Sequence, residues 1–164
     1  MIYVTVGTMF LDFARLIRKM DDIAQSTGER IICQIGMGET VPVHCEHFRF
    51  KPRQEIVALQ REARVIVAHA GIGCVIEAMQ ASRPLIVVPR LKKHNEHMDD
   101  HQLDLAQAVA RRGWGRMIVH MDDLAEALAN PLPAKTDYEP ATVPLVRSIQ
   151  SAVAQVAMNL ARSR

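Results

Sequence analysis

Arg64-Val65-Ile66-Val67-Ala68-His69-Ala70-Gly71-Ile72-Gly73-Cys74-Val75-Ile76-Glu77-Ala78-Met79 carries a whole strand, loop and helix in sixteen residues. Residues 64–68 form a short apolar run with no polar alternation, the pattern of a strand buried on both faces. A loop with glycines at 71 and 73 ends that run, and the residues through Met79 read as a helix. Buried strand, glycine loop, helix is the repeating half-unit of a parallel sheet covered by helices.

Working outward, the same unit recurs. Residues 2–6 are a β-branched apolar run closed by Gly7, and residues 30–35 another closed by Gly36-Met37-Gly38. Between them Asp12 is placed to cap a helix carrying Phe13, Leu16, Ile17, Met20 and Ile23, which Gly28 ends. Residues 44–50 alternate as a weaker third strand, and Ile56 and Leu59 after Pro52 predict a short helix. Beyond Pro84 the run 85–88 is a fifth strand, 98–111 a helix, 116–119 a sixth strand and 121–129 a last short helix. The expectation is an α/β, doubly wound, mostly parallel Rossmann-like sheet of about six strands. With the order 3-2-1-4-5-6, strands one and four meet at the topological switch point, where such sheets bind ligands. Their ends are Gly7-Thr8 and the loop 69–73.

Composition narrows the class. With 164 residues, 49% hydrophobic and 23% charged, the chain has the balance of one soluble domain. A net charge of +2 is too small for a nucleic-acid partner held by phosphate neutralisation. No apolar run reaches membrane-span length, and residues 1–6 carry no secretory signature. Cys33, Cys45 and Cys74 match neither a disulfide framework nor a zinc pattern, so a cytoplasmic location is expected.

The loops point to a nucleotide diphosphate. Gly7-Thr8 follows the first strand without G-x-G-x-x-G, which disfavours NAD and FAD, and no P-loop motif is present. Gly71 and Gly73 let the backbone approach a ligand, and the helix start after them offers free N–H groups to a phosphate. Glu77 falls one turn into that helix, within reach of a ribose diol, although a solvated glutamate reads equally well. In 94–102, a helix would put His94, His97 and His101 on one face, a geometry open to metal ligation. Without H-E-x-x-H, and beside Lys92 and Lys93, no metal is expected there. Asp99 or Asp100 capping a helix, with His101 and Gln102 facing a polar ligand, is the reading preferred over a merely solvated helix start.

VTVGTMF (4–10), AHAGIGCVIEAM (68–79), PLIVVPR (84–90) and HNEHMDDHQLDLA (94–106) together resemble the C-terminal, nucleotide-sugar-binding half of family 28 GT-B glycosyltransferases. The likeness covers residues 1–128 and is greatest to the stand-alone form of that half. That form occurs as the catalytic subunit of the dolichol-pathway UDP-GlcNAc transferase and in bacterial split transferases for exopolysaccharide, which KKHNEHMDDHQ resembles most. The resemblance implies a UDP-sugar donor and no obligatory metal or other cofactor. It places Gly7 and Thr8 near the diphosphate, Gly71, Ile72, Gly73 and Cys74 against it, Glu77 on the ribose, and Gln102 with His101 on the donor sugar. His69 opens the family loop, touching ligand or supporting the loop. Cys74 departs from the Ser or Thr of many relatives, and a thiol donates poorly to phosphate. The first loop has one glycine where peptidoglycan-precursor transferases of the family have two.

In the family the acceptor site and usual base lie on the other half. The implied partner is a membrane-associated subunit presenting a lipid-linked sugar acceptor, which would recruit the chain to the inner face of the membrane. The catalytic base is unassigned, with His69, His97 and His101 as weak candidates. The alternatives are a non-catalytic nucleotide-sugar-binding module and a UDP-sugar epimerase or hydrolase of the same fold. The expected layout is a nucleotide-sugar-binding domain at 1–129, a linker at 130–144 holding Pro131, Pro133, Pro140 and Pro144, and an amphipathic helix at 145–164. Val146, Ile149, Val153, Val156 and Leu160 form its stripe, suited to closing its own domain, docking a partner or lying on a membrane surface.

Overall fold

The computed structural model describes residues 1–134. Six parallel strands form one sheet in the order β3-β2-β1-β4-β5-β6. They are β1 (Ile2–Thr5), β2 (Ile31–Gln34), β3 (Glu46–Phe48), β4 (Val65–His69), β5 (Leu85–Val88) and β6 (Arg116–Met117). Five helices connect and follow them: α1 (Ala14–Thr27), α2 (Arg53–Glu62), α3 (Ile72–Gln80), α4 (His101–Arg111) and α5 (Leu124–Ala129). This is the doubly wound order expected, with β1 beside β4.

Alternation along each strand splits the core in two. Ile2, Val4, Val65 and Val67 face α1 and α5, packing on Leu16, Ile17, Met20, Leu124 and Leu128. Tyr3, Ile66, Ala68 and Val87 face α2, α3 and α4, against Leu59, Val75, Met79, Ala106 and Val109. Burial on both faces is why these strands read as unbroken apolar runs.

Three boundaries differ from expectation. Asp12 does not cap α1: Phe13 is the N-cap residue. The Asp12 carboxylate accepts the Phe13 N–H at 2.8 Å and, from the β2–β3 connection, the Thr40 N–H at 3.2 Å and hydroxyl at 2.6 Å. Helix α4 starts at His101, three residues later than Met98. Asn95 turns into the left-handed region at φ 56°, after a 3-10 turn at Lys92–His94, and breaks the helical path. Asp100, at the N-cap position, accepts the Lys92 N–H at 2.9 Å, and it is the Asp99 carboxylate that accepts the first N–H of α4, from His101, at 3.2 Å. The last strand shortens to two residues. The amphipathic helix expected at 145–164, and the linker beyond residue 134, lie outside the described residues.

Candidate functional site

A cleft opens at the carboxyl ends of β1 and β4. Its larger compartment, about 510 Å³, is lined by Gly7, Thr8, Met9, Phe10, Met37, His69, residues 71–74, His97 and Gln102. A smaller compartment of about 160 Å³ shares Gly7, Thr8 and Cys74 and continues to Tyr3, Thr5, Gln34, Phe50, Lys51, Ile56 and Glu77. A second groove of about 510 Å³ runs between α2 and α3 past Arg53, Gln60, Arg61 and Gln80. It lies away from the strand ends and shares only Glu77 with this cleft. The switch-point cleft has the helix start and the glycine loops, so it is the candidate site.

The floor is built around His69. A Cβ on Gly7 would come within 2.3 Å of its Nε2, and one on Gly71 within 2.2 Å of its Cε1. Both glycines therefore make room for the imidazole, a demand not legible in the loop alone. Gly7 also has φ +77°, which L side chains rarely adopt. The ring is buried, and its Nδ1 has no hydrogen-bond partner. Burial, with the nearby Arg90 charge second, pushes its pKa down to about 4, while the Gln102 amide pulls the other way. At neutral pH it is an uncharged imidazole wedged between two loops, which suits support better than proton abstraction.

Gln34 fixes the first loop. Its Oε1 accepts from the Gly7 N–H at 3.1 Å and the Thr5 hydroxyl at 2.8 Å, and its amide donates to the Gly7 carbonyl at 3.0 Å. Sequence reasoning passed over this residue. The available signal was a glutamine closing the otherwise apolar run Ile31-Ile32-Cys33.

On the α3 side, Gly71 is the N-cap residue and no side chain caps the helix. The Val75 N–H bonds the Gly71 carbonyl at 3.0 Å, so the N–H groups of 72–74 precede the first intrahelical donor and have no acceptor within the helix. A Cβ on Gly73 would meet nothing within 4 Å, leaving open space beside those donors. Ile72 projects into solvent, 61% exposed. Cys74 lies 3.8 Å from the Thr5 hydroxyl, and burial pushes its thiol pKa up, so it stays a neutral, weak donor. Glu77 stands at the far end of the smaller compartment, 3.7 Å from the Arg53 guanidinium.

The opposite wall hangs on Arg90, which is fully buried. Its guanidinium donates to the carbonyls of Val6 at 2.8 Å, Leu11 at 2.8 Å, Asp12 at 3.1 Å and Glu96 at 3.2 Å, and lies 4.7 Å from the Phe13 ring centre. Burial lowers its pKa to about 10, which leaves it charged at neutral pH. Glu96, also buried, pairs with Arg15 at 2.7 Å and accepts the Leu91 N–H at 3.0 Å. These residues escaped sequence reasoning; the signal was an arginine directly after a buried strand, in Val87-Val88-Pro89-Arg90.

Two expectations on this wall change. Gln102 lines the cleft, but it is buried and its Oε1 already accepts the Arg90 N–H at 3.1 Å, so only its amide nitrogen is uncommitted by that bond. His101 is exposed, bonds to Asp99 and is absent from the cleft lining. His94, His97 and His101 do not share a helix: His94 belongs to the 3-10 turn, and His97 precedes α4. His97 does line the cleft, its side chain 10% exposed.

Comparison with known proteins places this architecture. The chain is 31% identical to the human UDP-N-acetylglucosamine transferase subunit ALG13 over 121 residues, 68% of this chain and 10% of that protein. The mouse protein of that name is 29% identical over 120 residues, again 68% of this chain and 10% of the relative. The chain thus spans about a tenth of these relatives' length. The solution structure of ALG13 superposes with a TM-score of 0.60 at 16% identity, covering 88% of this chain and 93% of that one. The calicheamicin glycosyltransferase CalG4 gives a TM-score of 0.60 at 19% identity, over 80% of this chain and 34% of that one. These two share the fold. Residues 1–156 match the glycosyltransferase family 28 C-terminal domain, and the chain belongs to that family.

Proposed function

We propose that the chain is the donor-binding half of a UDP-sugar-dependent glycosyltransferase, transferring a hexosyl group to a lipid-linked acceptor in glycan or polysaccharide synthesis. The observation that carries this is the uncapped start of α3, with Gly73 open beside it, at the switch point between β1 and β4. A diphosphate set against the N–H groups of 72–74 extends the nucleoside toward Phe50, Lys51 and Glu77, and the sugar toward His97 and Gln102.

Transfer joins an acceptor hydroxyl oxygen to the anomeric carbon as the bond from that carbon to the β-phosphate oxygen breaks. UDP leaves with the electron pair, and the hydroxyl proton passes to a base. The helix start and loop N–H groups stabilise the departing charge, so donor binding needs no divalent metal. Neither cleft histidine is poised as that base: His69 is wedged and weakly basic, and His97 Nδ1 already accepts the Asp99 N–H at 3.3 Å. The base and acceptor site therefore belong to a membrane-associated partner, in keeping with the relatives' designation as subunits. The cleft rim is apolar and open, with Phe10 62% and Ile72 61% exposed, a surface suited to being covered. Among the described residues no helix is long and apolar enough to cross a membrane. The proposed location is the cytoplasm, at the inner membrane face through that partner.

The test combines the chain, radiolabelled UDP-sugars and membranes from its own source. Label should enter lipid only when chain and membranes are both present. Turnover by the chain alone would remove the partner, and tight UDP-sugar binding without transfer under any condition would favour a binding module.

A further inference from the structure

Three side chains between the Lys92–His94 turn and α4 converge although they are not on one helix face. The Asp99 carboxylate Oδ1 lies 3.2 Å from His97 Nδ1 and in direct contact with His101 Nδ1. One ligand-capable atom from each of the three falls within 4.8 Å of the others. The two imidazoles meet edge to face, with centroids 4.5 Å apart. His97 Nδ1 accepts the Asp99 backbone N–H at 3.3 Å, a long bond that an ion bound at that nitrogen would displace. Two ring nitrogens and a carboxylate oxygen gathered this closely are donor atoms that a divalent ion takes.

We propose that His97, Asp99 and His101 form a binding site for a late first-row divalent ion of the zinc class, at the sugar-side end of the cleft. Two imidazole nitrogens and one carboxylate oxygen are a borderline donor set, which favours Zn²⁺ over Mg²⁺ or Ca²⁺, whose shells are oxygen. Tetrahedral ligand atoms around zinc stand about 3.4 Å apart, given bonds of about 2.1 Å, and the His97–Asp99 separation is 3.2 Å. The His101 ring must swing outward slightly, which its 62% exposure allows. Neighbouring acidic groups are already committed, Glu96 to Arg15 and Asp100 to the Lys92 N–H, so they neither compete for the ion nor complete its shell. A fourth position is left for water or a ligand oxygen. Bound there, the ion pins the bent segment 95–100, which carries His97 into the cleft wall. The site differs from the H-x-x-H spacing considered on sequence grounds, because Asp99 takes the place of His94. It is independent of the donor reading and is measured without nucleotide.

The experiment is titration of the full chain with Zn²⁺ in a non-chelating buffer, by calorimetry, and with Co²⁺, by absorption. The expected result is one ion per chain and a tetrahedral Co²⁺ spectrum without a thiolate charge-transfer band. Asp99→Asn and His101→Asn should each weaken binding roughly ten-fold or more, and His94→Asn should change nothing. Both ligand side chains are exposed, so the variants should melt as the wild type does. A thiolate band, binding unchanged in both ligand variants, or no binding at millimolar Zn²⁺ would overturn the site. The last result would leave a protonated imidazole bonded to Asp99 as the whole content of the cluster.

Discussion

The two walls of the cleft are held by different forces. On the β1–β4 side the loops are shaped by the absence of side chains: Gly7 and Gly71 close on the His69 ring, and one glutamine clamps Gly7 by both its polar atoms. On the β5–α4 side a bent connection carrying one 3-10 turn hangs on buried charge, Arg90 and the Arg15–Glu96 pair. The first wall is a steric fit between neighbours at strand ends. The second is an electrostatic anchor drawn from α1 and β1, with Arg90 reaching back 84 residues to Val6. The difference teaches that a site can be rigid on one side at little polar cost and still depend, on the other, on a few ions that water no longer solvates.

The largest effect should come from breaking the electrostatic wall. Glu96→Ala leaves Arg15 without its carboxylate and removes a negative charge near Arg90, which keeps its bond to the residue 96 carbonyl; losing one partner of a buried pair costs about 3–5 kcal/mol. Thermal or urea denaturation should show that loss; a change under about 1 kcal/mol would mean solvent already reaches the pair. The steric wall is tested by Gly7→Ala. A methyl 2.3 Å from the His69 ring, on a backbone at φ +77°, should cost about 2–4 kcal/mol. Gly73→Ala, with no neighbour within 4 Å, should leave stability unchanged or slightly raised and lower UDP affinity. Equal destabilisation by both alanines would break the contrast.

Acid should loosen the same wall. His69 has a folded pKa of about 4 against an ordinary 6.5, so between those values the unfolded chain binds a proton that the folded chain excludes. This contribution to stability is complete above about pH 6.5 and declines as pH falls toward 4, by on the order of 3 kcal/mol. Urea titrations at pH 7 and 4.5 should show the loss in wild type and a flatter response in His69→Asn. A wild-type stability that rises with acid would contradict the buried neutral ring. The smallest change is Glu77→Ala. A charged hydrogen bond to a ribose is worth about 1.5 kcal/mol or more, so UDP affinity should fall roughly ten-fold while the melting temperature holds. Unaltered affinity with a collapsed melting point would make Glu77 structural.

The sheet was legible because parallel strands buried on both faces leave contiguous apolar runs such as Val65-Ile66-Val67, each closed by a loop. Its order is the common doubly wound one assumed for such a strand series, and the glycine loops at 7 and 71–73 agree with it by falling at its switch point. Those loops were legible as a phosphate-facing site for the same reason, since strand ends and helix starts are local features. What glycine does there was not: the neighbour that forbids a Cβ on Gly7 is His69, 62 positions away. The start of α4 was misplaced because a left-handed Asn95 and a captured Glu96 outweigh the helical pattern of residues 98–102. Gln34 and Arg90 were missed because their partners, Gly7 and Val6, are distant in the chain. His101 read as a ligand-facing residue, yet its ring turns to Asp99, two positions back.

A nucleoside diphosphate is proposed to sit between the loop after β1 and the start of α3. Amide chemical shifts of the chain, followed through a UDP titration in EDTA, test it most directly. The largest shifts are predicted at Gly7, Thr8, Ile72, Gly73 and Cys74, saturating without added metal. Shifts that appear only with Mg²⁺ or Mn²⁺, or that are confined to Arg53, Arg61 and Gln80 in the groove between α2 and α3, would contradict it.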